Sequence, residues 1–288
     1  MRLAIGVALF LAPACTLVVD TKGLSGGTID RRDALVDGPS PDAPRPTEAS
    51  TDGPTDAAAE SSPYASAVLA DTPLAYYRFE ETTTAPAHDS SGNGHDGTYV
   101  GSVDLGVPGA LARESGTAIH LNGTTAWVRV GDMFHFTARA PMTLEAWVKP
   151  DGLTGYVGVL TNELPDYSAG YRFLLSAAEG FSMERIFMQP DARAASADTN
   201  VLPAPPLAKW SHLVATYDGT DVVLYVDGQE AMRRPQTPGL DPAAGAIFSI
   251  GARASGKVPD YRGALDEVAV YDHPLSAARV AAHHALGL

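Results

Sequence analysis

Cysteine and basic residues are both scarce in this sequence. One Cys in 288 residues leaves no partner for a disulfide, a Cys-based zinc site or a CxxC redox pair. The 20 Lys and Arg are outnumbered by 34 Asp and Glu, which gives a formal net charge of −14. Because nucleic acid and anionic lipid are both recognised through basic surfaces, this charge argues against either as a partner.

Apolar runs are short as well. The most apolar segment, residues 3–12 (LAIGVALFLA), is too short to span a bilayer, because a spanning helix needs about 20 apolar residues. It follows Arg2 and ends in Ala12-Pro13-Ala14, a small-residue cleavage site. Residues 1–14 therefore have the features of a signal peptide, and we expect the chain to be exported.

The single cysteine, Cys15, directly follows this cleavage site. The arrangement resembles a bacterial lipoprotein signal, in which the Cys after the cleavage point is lipidated, although Ala12 stands where that motif prefers Leu. We therefore expect a lipid-anchored protein at the outer membrane or cell surface. Ordinary secretion with a free thiol, or a Cys without a role, are the alternatives.

A long segment without aromatic residues comes next. Residues 16–63 contain no Phe, Trp or Tyr and are dominated by Pro, Asp, Ala, Ser, Thr and Gly. Such a composition buries too little apolar surface to offset the conformational entropy of folding. We expect residues 15–63 to be a disordered acidic tether that displays a domain away from a membrane; a linker without function is the alternative.

The remaining residues, 64–288, have the pattern of an all-β domain. Short alternating apolar runs are separated by Gly, Asp, Asn or Pro, as antiparallel strands joined by turns require. Only residues 276–286 have the pattern of a helix, with Ser276 as N-cap and Gly287 as its end. An antiparallel two-sheet jelly-roll sandwich is the predicted fold. The predicted strands cover residues 74–81, 118–122, 126–131, 142–149, 156–161, 171–176, 181–189, 210–217, 222–226, 247–251 and 264–271.

Six segments in order resemble the LamG-like jelly roll of the concanavalin A-like lectin/glucanase superfamily. They are AYYRFEE (75–81), DSSGNGHDGTY (89–99), TLEAWV (143–148), WSHLVATYDG (210–219), LYVDG (224–228) and YRGALDEVAVY (261–271). The resemblance covers 64–288 and implies two facing antiparallel sheets, an extracytoplasmic setting and a binding or adhesive role. It identifies no ligand, because a fold does not fix a function.

Carboxylates that could cleave a glycan are not clustered on one strand. Relatives of this fold that are hydrolases commonly carry a Glu-x-Asp-x-x-Glu pattern, which is absent here. The adjacent pairs Glu80-Glu81 and Asp266-Glu267 are expected to point to opposite faces of their strands. We therefore expect no enzyme, although a glycoside hydrolase with acids from separate strands stays open.

A calcium site is the stronger expectation. Alternation places Asp266 on the same face as two apolar residues, where a carboxylate must be paired, hydrogen-bonded or metal-bound. The loop at residues 89–94 is rich in oxygen ligands and suits Ca²⁺, and the family resemblance implies a structural calcium. The expected ligands are Asp89, Asn93 and Asp266, with Glu81 as a weaker fourth. The alternative is that Asp89 and Asn93 form Asx-turns and Asp266 caps backbone N–H groups.

Three aromatic residues are candidates for stacking on a sugar. Tyr156 and Tyr167 lie among polar residues in a loop region, and Trp127 shares a strand face with Arg129. Half-buried packing is the alternative for each. The neighbouring pair at 283–284 is expected on a solvated helix face, since adjacent helical side chains do not chelate together. We therefore expect a module that binds a glycan or surface polymer; a non-lectin adhesion domain with a protein partner is the alternative, and the oligomeric state is not predicted.

Overall fold

The computed structural model describes residues 62–83, 86–137, 139–188, 194–197, 203–235 and 244–288. The predicted signal peptide, Cys15 and all but the last two residues of the predicted tether lie outside the described residues. The helices and strands, in chain order, are α1 (Pro63–Ala70), β1 (Ala75–Tyr77), β2 (Thr98–Val100), β3 (Asp104–Pro108), β4 (Thr117–Asn122), β5 (Trp127–Gly131), β6 (Met142–Gly152), β7 (Tyr156–Glu163), β8 (Gly170–Ser176), β9 (Gly180–Met188), β10 (Ala194–Ala197), β11 (Ser211–Tyr217), β12 (Asp221–Val226), β13 (Gln229–Pro235), β14 (Ile247–Ile250), β15 (Arg262–Tyr271) and α2 (Ala277–Gly287).

The strands form two antiparallel sheets, which confirms the predicted sandwich. Sheet 1 has the order β13-β12-β11-β6-β15-β4-β3, and β1 also pairs with β15. Sheet 2 has the order β10-β9-β8-β7-β14-β5-β2. Strands β7 to β10 and β11 to β13 are joined in chain order as hairpins, whereas pairs such as β6-β15 and β7-β14 bring distant parts of the chain together. Among the described residues, no helix is long and apolar enough to cross a membrane.

The main core lies between the sheets and follows the alternation of the strands. On β11, Leu213, Ala215 and Tyr217 face this core, and on β8 it receives Tyr171 and Phe173. Burial of each large apolar side chain contributes roughly 1.5–3 kcal/mol. Because apolar residues alternate along the strands, each sheet has an apolar inner face, and the two inner faces pack together as a sandwich.

A second apolar layer covers the outer face of sheet 1. Tyr64 and Val68 of α1 and Val280 of α2 pack there against Trp147 and Tyr271. The α2 helix begins as predicted, since Ser276 Oγ accepts the N–H of Arg279. The α1 helix was not predicted, although its N-cap Ser62 and a Pro at its first position are both start signals.

Glu145 is the centre of a buried hydrogen-bond network in this layer. Its Oε1 lies 2.8 Å from His212 Nε2 and 3.0 Å from His283 Nδ1, and accepts the Tyr64 hydroxyl at 3.1 Å. Its Oε2 accepts the Tyr271 hydroxyl at 2.8 Å. Burial alone would raise the pKa of Glu145, but the hydrogen bonds and charges of the two imidazoles hold that pKa well below its usual range. The network ties both helices to sheet 1.

The prediction of a solvated pair at His283 and His284 is wrong. His283 is fully buried, and its Nε2 lies 3.0 Å from Asp71 Oδ2 at the end of α1. His284 is half-buried and stacks on Trp147 with ring centroids 5.8 Å apart. The partners of both histidines come from remote segments, so helical spacing alone carried no sign of their burial.

A β-bulge in β15 overturns the expectation that Asp266 and Glu267 point to opposite faces. Asp266 pairs with Trp147, and the register shifts before the next pair, while Glu267 adopts a φ of +48°. The extra residue brings both carboxylates to the outer side of sheet 1. The Asp266 carboxylate therefore does not share the core face with Val268.

Candidate ligand-binding site

The loop predicted to hold calcium is organised by Asp89 itself. This carboxylate is buried; its Oδ1 accepts the N–H groups of Tyr76 and Ser91, each at 3.0 Å, and its Oδ2 accepts that of His95 at 2.9 Å. Burial would raise the pKa of Asp89, but the hydrogen bonds from Ser91, His95 and Tyr76 lower it. These contacts are those of the Asx-turn alternative.

The other predicted calcium ligands also bond within the protein. Asn93 Nδ2 donates to the carbonyl of Leu74 at 3.0 Å, and Glu81 accepts the N–H of His88 at 2.7 Å. Asp266 Oδ2 accepts the N–H of Ala110 at 2.7 Å. In the part of the chain that the structure describes, no three His, Cys, Asp or Glu side chains form a group that could hold a metal ion. Calcium stays a prediction of the sequence.

The outer face of sheet 2 carries a cluster of paired charges. Arg172 on β8 contacts the carboxylates of Glu163 (Nε–Oε2, 3.2 Å) and Glu184 (Nη2–Oε2, 3.0 Å). All three are largely shielded from solvent, and burial raises the pKa of Glu163 to about 7 against the opposing charge of Arg172. Both described helices pack on sheet 1, so this face depends on loops for its cover.

Tyr167, predicted as a ligand-binding residue, lies beside this cluster. The guanidinium of Arg172 is 5.6 Å from its ring centroid and that of Arg253 is 6.0 Å from it. Tyr167 has a φ of +61° in the β7–β8 turn, and its ring is half-buried. Arg253 in turn binds Asp260 at 2.5 Å. We call Tyr167, Glu163, Arg172, Glu184 and Arg253 the Tyr167 cluster.

The loop between β14 and β15 brings Trp127 to the edge of the same region. Thr161 donates its hydroxyl to the carbonyl of Ala252 at 2.7 Å, and Glu163 accepts the N–H of Ala254 at 2.7 Å. A Cβ on Gly256 would lie 2.1 Å from the Trp127 indole, so this contact requires glycine. Trp127 is only 8% exposed, which makes it a packing residue rather than a stacking platform.

Tyr156 is the third predicted aromatic residue. It is half-buried at the first position of β7, where it pairs in register with Ser176. The structure places Tyr167 in direct contact with a polar cluster. The arginines and carboxylates around it come from other strands and loops, and no local pattern in the sequence indicates that they meet there.

A cleft lies on the other side of the domain, where the helices meet the loops of sheet 1. A cavity of about 600 Å³ is lined by Ser62, Pro63, Arg78, Glu80, Arg113, Glu114, Ser115, Gly116 and Leu286. A cavity of about 280 Å³ shares Arg78 and Glu80 with it and is also lined by Glu81, His88 and Ser90. We call the two together the Arg78 cleft.

Glu267 is buried beside Arg78, and Asp266 is buried beside Glu267. Glu267 accepts the Tyr76 hydroxyl, and its Oε1 lies 3.5 Å from Arg78 Nε. Burial raises the pKa of Glu267 to about 8. Burial and the neighbouring charge of Glu267 also raise the pKa of Asp266 well above its usual range. Both groups are about 1% exposed, so neither reaches a ligand directly.

The two antiparallel sheets define a jelly-roll sandwich, and comparison with known families identifies it further. The Laminin_G_3 family model, described as concanavalin A-like lectin/glucanases superfamily, matches residues 122–281. The match covers more than half of the chain, and the chain belongs to this family. No curated protein matches the sequence.

Several solved structures share the fold. Domain 4 of AbnA, a GH43 extracellular arabinanase from Geobacillus stearothermophilus solved with arabinotriose, is 22% identical with a TM-score of 0.59, over 74% of this chain and 98% of that domain. The binding domain of Paraclostridial Mosquitocidal Protein 1 is 15% identical (TM-score 0.56, 75% and 52% covered). That of botulinum neurotoxin serotype G is 11% identical (TM-score 0.54, 74% and 51% covered). This chain thus spans about half of each toxin domain, and the likeness concerns the fold.

Proposed function

We propose that this protein is an exported carbohydrate-binding module, anchored through a lipidated Cys15 and displayed on the tether of residues 15–63. The glycan binds at the Tyr167 cluster. The observation that carries this proposal is a half-buried tyrosine ring with two guanidinium groups 5.6 and 6.0 Å from its centroid, on a sheet face that also holds buried carboxylates. Aromatic rings stack on the C–H face of a sugar, and charged side chains make strong hydrogen bonds to its hydroxyls.

Binding is a better match to this geometry than hydrolysis. Glu163 and Glu184 both contact Arg172 and are buried. A glycosidase needs one carboxyl group as acid and a second as nucleophile or base, both reaching the scissile bond. Here both carboxylates contact the same guanidinium and are shielded from solvent, so the partly exposed guanidinium groups of Arg172 and Arg253 are the ones left to bond hydroxyl groups. The superfamily contains both lectins and glucanases, and we assign this chain to the binding class.

The first test is a glycan-array screen of the full chain, followed by titration calorimetry with the glycans that bind, arabinotriose included. Tyr167→Ala should weaken binding about five- to thirtyfold, because loss of a stacking ring removes on the order of 1–2 kcal/mol. Tyr167→Phe should retain binding. Tyr99→Ala is the matched control, since Tyr99 is also half-buried on sheet 2 but bonds to Glu81. Equal binding by Tyr167→Ala and wild type would rule out this site.

The same titrations repeated in EDTA test the calcium prediction. Weaker binding in EDTA, restored by added Ca²⁺, would support an ion at the 89–94 loop. Unchanged binding would argue against a calcium ion that supports binding. Asp89 would then serve to hold the turn through its three backbone hydrogen bonds.

The anchor has its own test. Cells of a bacterium with lipoprotein processing, grown with labelled palmitate, should incorporate label into the wild-type chain and none into Cys15→Ser. We expect the wild type to partition into the detergent phase of a Triton X-114 extract and the variant to partition into the aqueous phase. Aqueous partitioning of both proteins would favour ordinary secretion.

A further inference from the structure

The Arg78 cleft is a built polar cavity that the Tyr167 cluster does not use. Its larger part, about 600 Å³, falls within the range of about 300–1,000 Å³ typical of ligand pockets. The residues that line it come from the start of α1, the end of α2 and the loops that follow β1 and β3. Its shape therefore depends on the two helices being locked to sheet 1, which is what the Glu145 network achieves.

Charges in the walls of the cleft are compensated within the protein. Arg78 lies 3.3 Å from Glu80 and 3.8 Å from Glu114. Behind it, Glu267 has a raised pKa and is therefore largely neutral at pH 7. Arg113 is exposed and forms no ion pair with the residues that the structure describes, so the lining of the larger cavity holds two cations and two anions. The lining thus has no net charge, and a neutral ligand can bind without disturbing the ion pairs of Arg78.

The charged residues that line the cleft can still form hydrogen bonds with a ligand. Glu80 accepts from the backbone N–H of Thr117 at 2.9 Å, and Glu114 accepts from the Ser62 hydroxyl at 2.8 Å. Each carboxylate has capacity for further donors, because its two oxygens together accept up to about four hydrogen bonds. Arg78 Nη2 donates to Glu80 at 3.3 Å in the exposed part of the same wall. Donors and acceptors thus lie side by side, in the arrangement that adjacent hydroxyl groups require.

One wall of the cleft is apolar. Pro63 at the first turn of α1 and Leu286 near the end of α2 line the same cavity, and Leu286 is 37% exposed. A ring with C–H groups on one face and hydroxyls at its edge would cover this apolar wall while bonding to Glu80 and Glu114. A linear cation would leave the hydroxyl and guanidinium donors unused.

We propose that the Arg78 cleft is a second carbohydrate-binding site, which takes the neutral terminal sugar of a glycan. This inference rests on the proposed function, because it assumes that the ligand class is carbohydrate. With sites on both sheets, one chain binds two glycan ends and can cross-link them.

The test fills the cleft without removing its walls. Ser115 is exposed in the loop that lines the cavity, so Ser115→Trp should block the cleft and leave the fold intact. Calorimetry with the neutral oligosaccharides that the array identifies, arabinotriose first, should give two sites per wild-type chain. One site should remain in Ser115→Trp, one in Tyr167→Ala and none in the double variant. Ala112→Trp, at an exposed position of the same loop outside the cavity lining, is the matched control and should keep two sites.

The outcomes of this experiment separate the two proposals. A single wild-type site that Tyr167→Ala removes and Ser115→Trp leaves unchanged would overturn the second site and preserve the proposed function. A single site removed by Ser115→Trp alone would support the cleft and contradict the assignment to the Tyr167 cluster. Binding of charged glycans alone would overturn only the second site, and no binding of any glycan, neutral or charged, would overturn both. Unchanged circular dichroism and melting temperature would show that each variant is folded.

Discussion

Replacing Glu145 by alanine should lower the free energy of unfolding by roughly 3–5 kcal/mol, the usual cost of removing one partner from a buried charge pair. The change leaves His212 and His283 without their shared acceptor, and it leaves the Tyr64 and Tyr271 hydroxyls without theirs. It also opens a cavity in a layer that is closed to solvent. Urea unfolding followed by circular dichroism and Trp fluorescence measures the loss.

Glu230→Ala is the control for this prediction. Glu230 lies on the edge strand β13 and pairs with Arg233 at 2.7 Å, but both side chains are substantially exposed. Its loss should change the free energy of unfolding by less than about 1 kcal/mol, as is usual for surface ion pairs. Similar losses for the two variants would show that the Glu145 network does not hold the helices on sheet 1.

Replacing Glu267 by glutamine should make the protein less sensitive to alkaline pH. The pKa of this carboxyl is about 8 in the folded protein against an ordinary value of 4.5. Its contribution to stability is therefore fully present below pH 4.5 and is lost as the pH rises through about 8, because the folded state must then hold a buried anion. Between pH 5 and 8.5, wild type should lose roughly 3–5 kcal/mol relative to Glu267→Gln, at about 1.4 kcal/mol per pKa unit.

The comparison between the two proteins isolates Glu267 and its neighbour Asp266 from the other groups with raised pKa values. Glu163 and His283 titrate in both proteins, so their contributions cancel in the difference. In Glu267→Gln the pKa of Asp266 is also lowered, because the neighbouring charge is removed. Its effect on the pH dependence of stability therefore has the same direction as that of Glu267. Urea unfolding at a series of pH values gives the two curves. Parallel curves from pH 5 to 8.5 would contradict a carboxyl group that is protonated at neutral pH.

The sequence predicted the inner strands of both sheets and missed those at the exposed edges. Strand β11 is buried on both faces and β8 on most of its length, which gives strong apolar patterns. In contrast, nearly every residue of β13 is exposed, and β3 alternates only between exposed and half-buried positions. Edge strands of this kind are held by backbone hydrogen bonds to a neighbour, which leave no apolar signature in the sequence.

The candidate sites were harder to predict because they depend on contacts between distant residues. His283 and Glu145 are 138 positions apart, so no helical pattern could reveal that the histidine is buried. The bulge at Glu267 places a non-glycine residue at φ +48°. Alternation along β15 is interrupted there, so it predicts the wrong face for Asp266. Local polar residues in the sequence indicate Tyr167, but Arg172 approaches it from β8 and Arg253 from the loop between β14 and β15.

Chemical-shift mapping tests the central claim, that this jelly roll binds carbohydrate at the Tyr167 cluster, most directly. Isotope-labelled full-length protein would be titrated with arabinotriose and with each glycan that the array identifies. We expect saturable shifts at Tyr167 and at the side chains of Arg172 and Arg253, all lost in Tyr167→Ala. Saturable binding that leaves these resonances unmoved, or no binding to any glycan, would contradict the account.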